Sequence, residues 1–267
     1  MITKKIMLDE SACLDAYVAD KAPEYTRKAI LVIPGGAYWN VCADREGEPI
    51  ALAFLPYGFN AFVLHYSVKG EGTFPTQLIQ ASLAIKHIKD NAKEYGIDKD
   101  EVYAVGFSAG GHLCASLGTL WDKKELYEEI DMPLGHNKPK GMILVYPVIS
   151  GVSEYSHKDS FKNLFDTETP SKEQLKKGSI ELCVSEKSVP AYIVHAANDS
   201  AVPVENSLML AMQYSKFKIP FEMHIYPRGE HGFALGNEIT WDGKDEFIQK
   251  ANEKWIDSAV EWIHNLR

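Results

Sequence analysis

The 267-residue chain is 45% hydrophobic and 24% charged, values of a globular protein able to bury a large core and still shape a pocket. Its formal charge is −9 with acids and bases interspersed, which argues against a nucleic-acid partner, because a net-negative body without a basic stripe is repelled by phosphate backbones. No apolar run approaches the ~20 residues needed to span a bilayer, and Met1 to Glu10 lacks the apolar region of a signal peptide, so no membrane partner and a cytoplasmic location are expected.

In chain order, Ile6-Met7-Leu8 and Leu14 to Val18 read as polar, antiparallel edge strands. Lys28 to Ile33 is a nearly continuous β-branched run ending at Pro34-Gly35-Gly36. Glu48 to Tyr57 has helical spacing and stops at Gly58. Asn60 to Tyr66 reads as a strand, and Pro75 to Tyr95 as one long helix closed by Gly96. Val102 to Val105 is a strand followed by a small-residue helix from Ala109. Further strands are expected at Gly141 to Tyr146, Pro190 to His195 and Phe221 to Tyr226, with helices over Val204 to Phe217 and Asp245 to Leu266.

Strands apolar on both faces and separated by helices predict an α/β fold: a mostly parallel central sheet with helices on both faces. Right-handed crossovers place the strand-to-helix loops on the carboxyl edge, where ligands bind. Two polar stretches interrupt the rhythm, Trp121 to Lys140 and Ser150 to Ser188. A compact domain rarely keeps so long a connection without purpose. The second is read as a small cap insertion, at about 150–189, over the carboxyl edge of a single domain spanning 1–267. The four cysteines, Cys13, Cys42, Cys114 and Cys183, lack CxxC spacing and are expected as isolated reduced thiols, with no metal site.

The strongest chemical signal is Val102-Tyr103-Ala104-Val105-Gly106-Phe107-Ser108-Ala109-Gly110-Gly111-His112, a strand running through Gly-x-Ser-x-Gly into a helix. Such a turn holds its serine in strained geometry with the hydroxyl projecting from the sheet. Ser108 is therefore the expected nucleophile. The amide of Ala109, at the helix start, is an expected oxyanion donor.

A serine hydroxyl needs a base. His65, His195 and His224 fall in strands, His87 and His264 in helices, and His112 in the helix after Ser108. These are read as structural. His136 and His157 lie in the polar stretches and are expected to be exposed. His231 differs: Arg228-Gly229-Glu230-His231-Gly232-Phe233 is a glycine-bracketed loop after the last strand, and it is the expected base. For a serine turn of this type the acid lies between serine and histidine in the chain. Asp199, in the turn after Pro190 to His195, is the expected acid, with Glu205 the weaker competitor.

Gly35-Gly36-Ala37 follows the first long strand, and its glycines let amides face a ligand. Gly36 and Ala37 are expected as further oxyanion donors. The spacing does not fit a phosphate-binding GxGxxG or P-loop. Tyr38, Trp39 and Phe233 flank these loops and are candidates to line the substrate pocket, each being equally plausible as a core aromatic.

Pro34-Gly35-Gly36-Ala37-Tyr38, Glu46-Gly47-Glu48-Pro49-Ile50-Ala51, Gly106 to His112, Asn198-Asp199 with Val202-Pro203, and His231-Gly232 occur in this order. The pattern resembles the α/β-hydrolase superfamily in its acetyl-xylan esterase-like and feruloyl/acetyl esterase-like branch, relatives of the hormone-sensitive-lipase type. It covers roughly residues 25 to 266, and departs from lipase-like members in having Pro34 where those often have histidine. The resemblance implies the α/β-hydrolase fold and an acyl-enzyme on Ser108 with His231 and Asp199. It implies no metal or organic cofactor, and small esters, acetylated sugars or xylo-oligosaccharides, as substrates.

Three alternatives remain: a serine exopeptidase of the prolyl-oligopeptidase type, which usually carries a large extra domain; a long-chain lipase, which calls for a more apolar cap; and a non-catalytic hydrolase-fold ligand-binding protein. A homodimer has no specific sequence signal.

Overall fold

The computed structural model describes residues 1–22 and 24–266. Two antiparallel strands, β1 (Ile2–Met7) and β2 (Cys13–Val18), open the chain, and β3 (Arg27–Ile33) follows. Next come α1 (Ala43–Glu46), α2 (Glu48–Phe54), β4 (Phe59–His65), α3 (Thr76–Asp90), α4 (Ala92–Tyr95), β5 (Ile97–Phe107) and α5 (Ser108–Leu120). The second half holds β6 (Met142–Val145), α6 (Lys158–Leu164), α7 (Lys172–Lys177), β7 (Ala191–Ala196), α8 (Glu205–Phe217), β8 (Phe221–Tyr226) and α9 (Trp255–Asn265).

The eight strands form one sheet in the order β1-β2-β4-β3-β5-β6-β7-β8, antiparallel at β1–β2–β4 and parallel from β4 onward. Neighbours step one way from β3 to β4 and the other way from β5 to β8. The crevice at this switch lies beyond the carboxyl ends of β3 and β5, the usual binding position of open α/β sheets. Alternate residues of the same strands feed opposite faces. Leu31, Ile33, Phe62 and Leu64 pack with α3, α5 and α8, whereas Ile30, Val32, Val63 and Val105 pack with α2 and α9. Full burial of each such side chain contributes roughly 1.5–3 kcal/mol. Among the described residues no helix is long and apolar enough to cross a membrane.

Some elements differ from the expectations. The helix expected over 75–95 ends at Asp90, because the Asn91 side chain and amide both donate to the His87 carbonyl, and the chain restarts as the single turn of α4. The helix expected from Asp245 begins only at Trp255. Left-handed Gly236, Asp242 and Gly243 break the backbone before it, and the apolar face Trp255, Ile256, Ala259, Val260, Ile263 starts there. The 150–189 stretch is polar outside yet anchored inside: Phe161, Leu164, Phe165 and Ile180 join the core. A capping box at Ser171, with Gln174, starts α7.

Candidate active site

The loops after β3, β5, β7 and β8 converge on the carboxyl edge. Ser108 is the first residue of α5, reached directly from extended Phe107, and has φ +51°. A left-handed non-glycine residue costs roughly 1–2 kcal/mol, so the surrounding packing must hold it. Gly110 makes this packing possible, since a Cβ there would lie 2.2 Å from the Ile33 carbonyl oxygen. Gly35 does the same from the facing loop, where a Cβ would stand 2.9 Å from Ser108 Cβ.

Ser108 Oγ lies 2.8 Å from His231 Nε2, and His231 Nδ1 lies 2.7 Å from Asp199 Oδ2. A carboxylate only accepts, so Nδ1 carries the proton and Nε2 is left to accept from the serine hydroxyl. Asp199 is buried. Its other oxygen accepts the amides of Ala201 (3.0 Å) and Val202 (2.9 Å), and His195 Nε2 stands 3.4 Å from Oδ2. Burial alone would raise the Asp199 pKa; hydrogen bonds from His195, His231 and the Val202 amide outweigh it and hold the carboxyl well below the usual carboxylate range. The acid therefore stays ionised. The Asn198 side chain accepts the Gly229 amide at 2.8 Å, tying the acid's loop to the histidine's loop. Glu205 sits in the first turn of α8 and takes no part in this chain of bonds.

Facing Ser108, three consecutive residues take positive φ: Gly36 (122°), Ala37 (54°) and Tyr38 (57°). The Gly36 carbonyl is turned back to accept the Trp39 and Asn40 amides. The Gly36 and Ala37 amides have no protein acceptor among the described residues, and both residues line a groove of about 310 Å³ with Ser108 and His231. Ala109 is in the first turn of α5, whose amides have no acceptor within the helix.

Of the three aromatics expected to line the pocket, only Trp39 does, 65% exposed. Tyr38 is a correction: it is buried, and its hydroxyl meets His112 Nδ1 at 2.8 Å. Phe233 is another, buried against Tyr146 with ring centroids 4.8 Å apart. Both loops turn these rings inward, where the core rewards them more than the groove. His112 also bonds the Gly178 carbonyl, and burial lowers its pKa to about 4. It is a neutral link between the β3 loop, α5 and the 150–189 segment.

His157 is a third correction. It is half-buried rather than exposed and lines the groove with Ser108. Burial, and the neighbouring His231, lower its pKa.

Sequence reasoning missed two further residues. Glu46 is buried, accepting the Gly35 amide on Oε2 and the Tyr146 hydroxyl on Oε1, both at 2.8 Å. Tyr146 (φ +39°) directly follows β6; its hydroxyl accepts the Ala234 amide, and its ring packs edge-on against His231 at 5.0 Å. One carboxylate thus joins the loop facing the serine to the loop carrying the histidine. Glu46 stood in the sequence pattern but carried no signal of burial, and nothing local marked Tyr146.

Sheet order, the serine turn and the Ser–Asp–His chain order together define an α/β-hydrolase fold with serine-hydrolase geometry. The BD-FAE family model matches residues 14–214, and the chain belongs to that family; the dienelactone hydrolase family model matches residues 177–266. The chain is 38% identical over 222 residues to endo-1,4-beta-xylanase B of Butyrivibrio fibrisolvens, covering 81% of this chain and 34% of that protein. It is 29% identical over 235 residues to an acetylxylan esterase of Xylanibacter ruminicola, covering 86% and 45%. The chain therefore spans less than half the length of these relatives. Among solved structures it is similar to an acetyl ester-xyloside bifunctional hydrolase from Caldicellulosiruptor lactoaceticus, with 32% identity, TM-score 0.84, and 98% and 96% of the two chains covered. The carboxylesterase Cest-2923 of Lactobacillus plantarum shares the fold at 24% identity and TM-score 0.84, with 99% and 98% covered.

Proposed function

We propose that this protein is a serine carboxylesterase that removes small acyl groups, acetyl foremost, from sugar hydroxyls such as those of xylo-oligosaccharides. The observation that carries the reading is the unbroken run of hydrogen bonds from Asp199 through His231 to a strained Ser108 in the groove.

Ser108 Oγ attacks the ester carbonyl and His231 Nε2 takes its proton. Ionised Asp199 stabilises the imidazolium that forms. The amides of Gly36, Ala37 and Ala109 donate to the oxyanion, where loss of one donor typically costs ~10²–10³ in turnover. The alcohol leaves with the proton from His231, and water repeats the cycle on the acyl-enzyme. Beside Trp39 the groove wall is polar or small, with Asn40, Arg45, Glu46 and His157 among its residues, and it offers no aliphatic surface to bind a long acyl chain, which supports a short acyl group. The names of two relatives, an acetylxylan esterase and an acetyl ester-xyloside hydrolase, support an acetylated sugar. Residues 150–189 serve as a small cap beside the groove, through His157.

The test is initial rates on p-nitrophenyl acetate, butyrate and octanoate, with Ser108→Ala as control. Acetate cleavage should be fastest, fall with chain length, and drop by at least ~10⁴-fold in the variant. Serine-independent rates, or none on any ester, would overturn the reading.

A further inference from the structure

A second hollow of about 330 Å³ adjoins the groove and shares Ala37, Trp39 and His157 with it. Its remaining wall is Asp159, Lys162, Asn163 and Glu168. The wall therefore offers one large aromatic face and a ring of charged and amide groups, with no aliphatic side chain larger than that of Ala37. A lipid alcohol would gain little there. A pyranose fits this chemistry: its C–H face stacks on an aromatic ring, and its neighbouring hydroxyls need both donors and acceptors.

The wall is also pre-set. Lys69 Nζ lies 5.5 Å from the Trp39 ring centroid and 3.1 Å from Glu168. Lys162 reaches Glu168 at 3.4 Å and Asp159 at 3.6 Å. Asn163 donates to the Ala37 carbonyl at 2.9 Å, fixing the hollow to the loop that faces Ser108. His157 Nδ1 is engaged with Ser160 Oγ, and its Nε2 has no partner among the described residues. His231 must hand its proton to the departing alcohol, so the alcohol lies on the histidine side of Ser108. His157 and Trp39 border both hollows and connect that side to the second one.

We propose that the hollow beyond Trp39 is a saccharide subsite, which takes the pyranose adjoining the ester-bearing residue of the leaving oligosaccharide. The inference rests on the esterase reading for its role in turnover. Trp39 is the platform, His157 Nε2 bonds the ester-bearing sugar, and Lys162 and Glu168 bond the next one.

Two measurements test it. The first compares kcat/KM on acetylated xylotetraose and on vinyl acetate, whose alcohol is too small to reach the hollow. Trp39→Ala should lower kcat/KM for the oligosaccharide about tenfold more than for vinyl acetate, mostly through KM. Lys162→Ala should do so by a few-fold. Equal losses on the two substrates would overturn the subsite. The second titrates unacetylated xylotetraose into Ser108→Ala by calorimetry. Saturable binding that weakens about tenfold when Trp39→Ala is added supports the subsite, and no binding, or binding indifferent to Trp39, overturns it. Because calorimetry needs no turnover, a protein that cleaves no ester but binds the sugar through Trp39 refutes the esterase reading alone.

Discussion

Glu46 has no contact with Ser108 that would make it a reacting group, yet both its oxygens are committed. One holds the amide of Gly35, next to the loop's proposed oxyanion donors, and the other holds Tyr146, the wall behind His231. Removing it leaves a buried amide and a buried hydroxyl without their acceptor, each costing about 1–3 kcal/mol. Glu46→Ala should therefore lower the melting temperature and reduce kcat at least tenfold with KM little changed. Glu46→Gln keeps one acceptor and should recover part of both. Turnover within twofold of the native protein in Glu46→Ala would show that the loop holds its shape without the carboxylate. Such a role was not legible beforehand, because Glu46 and Tyr146 are 100 positions apart and only the sheet brings them together. Ser108, Asp199 and His231, the proposed triad, could be nominated from the sequence for the opposite reason: each follows a strand's carboxyl end by a few residues and stands in a local motif, Gly-x-Ser-x-Gly, Asn-Asp or a glycine-bracketed histidine loop.

Among the elements, the parallel strands and α2, α5 and α8 were readable from apolar runs and glycine stops, whereas the breaks at Asn91 and before Trp255 depended on side-chain bonds and left-handed backbone. β5 shows a similar limit. Its buried half, Val102 to Phe107, announces itself, but the strand begins at Ile97 with exposed Asp98, Lys99 and Asp100. Glu101, between the halves, takes hydrogen bonds from Lys140, Lys28 and Tyr103. Burial works to raise its pKa, but these three partners outweigh it and bring it down to about 2. A carboxyl depressed in the fold stabilises fully above its unfolded pKa, ~4.3, and loses that contribution as pH falls toward the folded value. Near the solvent-exposed rim such pairs are screened and contribute about 1 kcal/mol. Glu101→Gln should lower the melting temperature by about 2–4 °C at pH 7, and the gap should narrow between pH 4 and 2. A gap of constant size across that range would assign the loss to packing instead.

At the scale of the whole molecule, the site straddles the one place where sheet order reverses. β3 and β5 pair directly, Ile33 beside Gly106, although β4, α3 and α4 lie between them in the chain. Part of what holds Ser108 in its strained turn comes from across this seam, where Gly110 packs on the Ile33 and Pro34 carbonyls and Gly35 on Ser108 Cβ, so that turn is not stable until the seam has closed. Non-local parallel pairing is slow, because loop closure must precede the contacts that favour it. On dilution from denaturant, helical signal and burial of Trp255 should therefore return first, with reactivity of Ser108 toward a fluorophosphonate lagging behind. If labelling rises in step with the earliest helical signal, the strained turn forms locally and the seam is not its support. A lag would mean that partly folded chains carry an unarmed serine, and the protein gains its reactivity only when its architecture is complete.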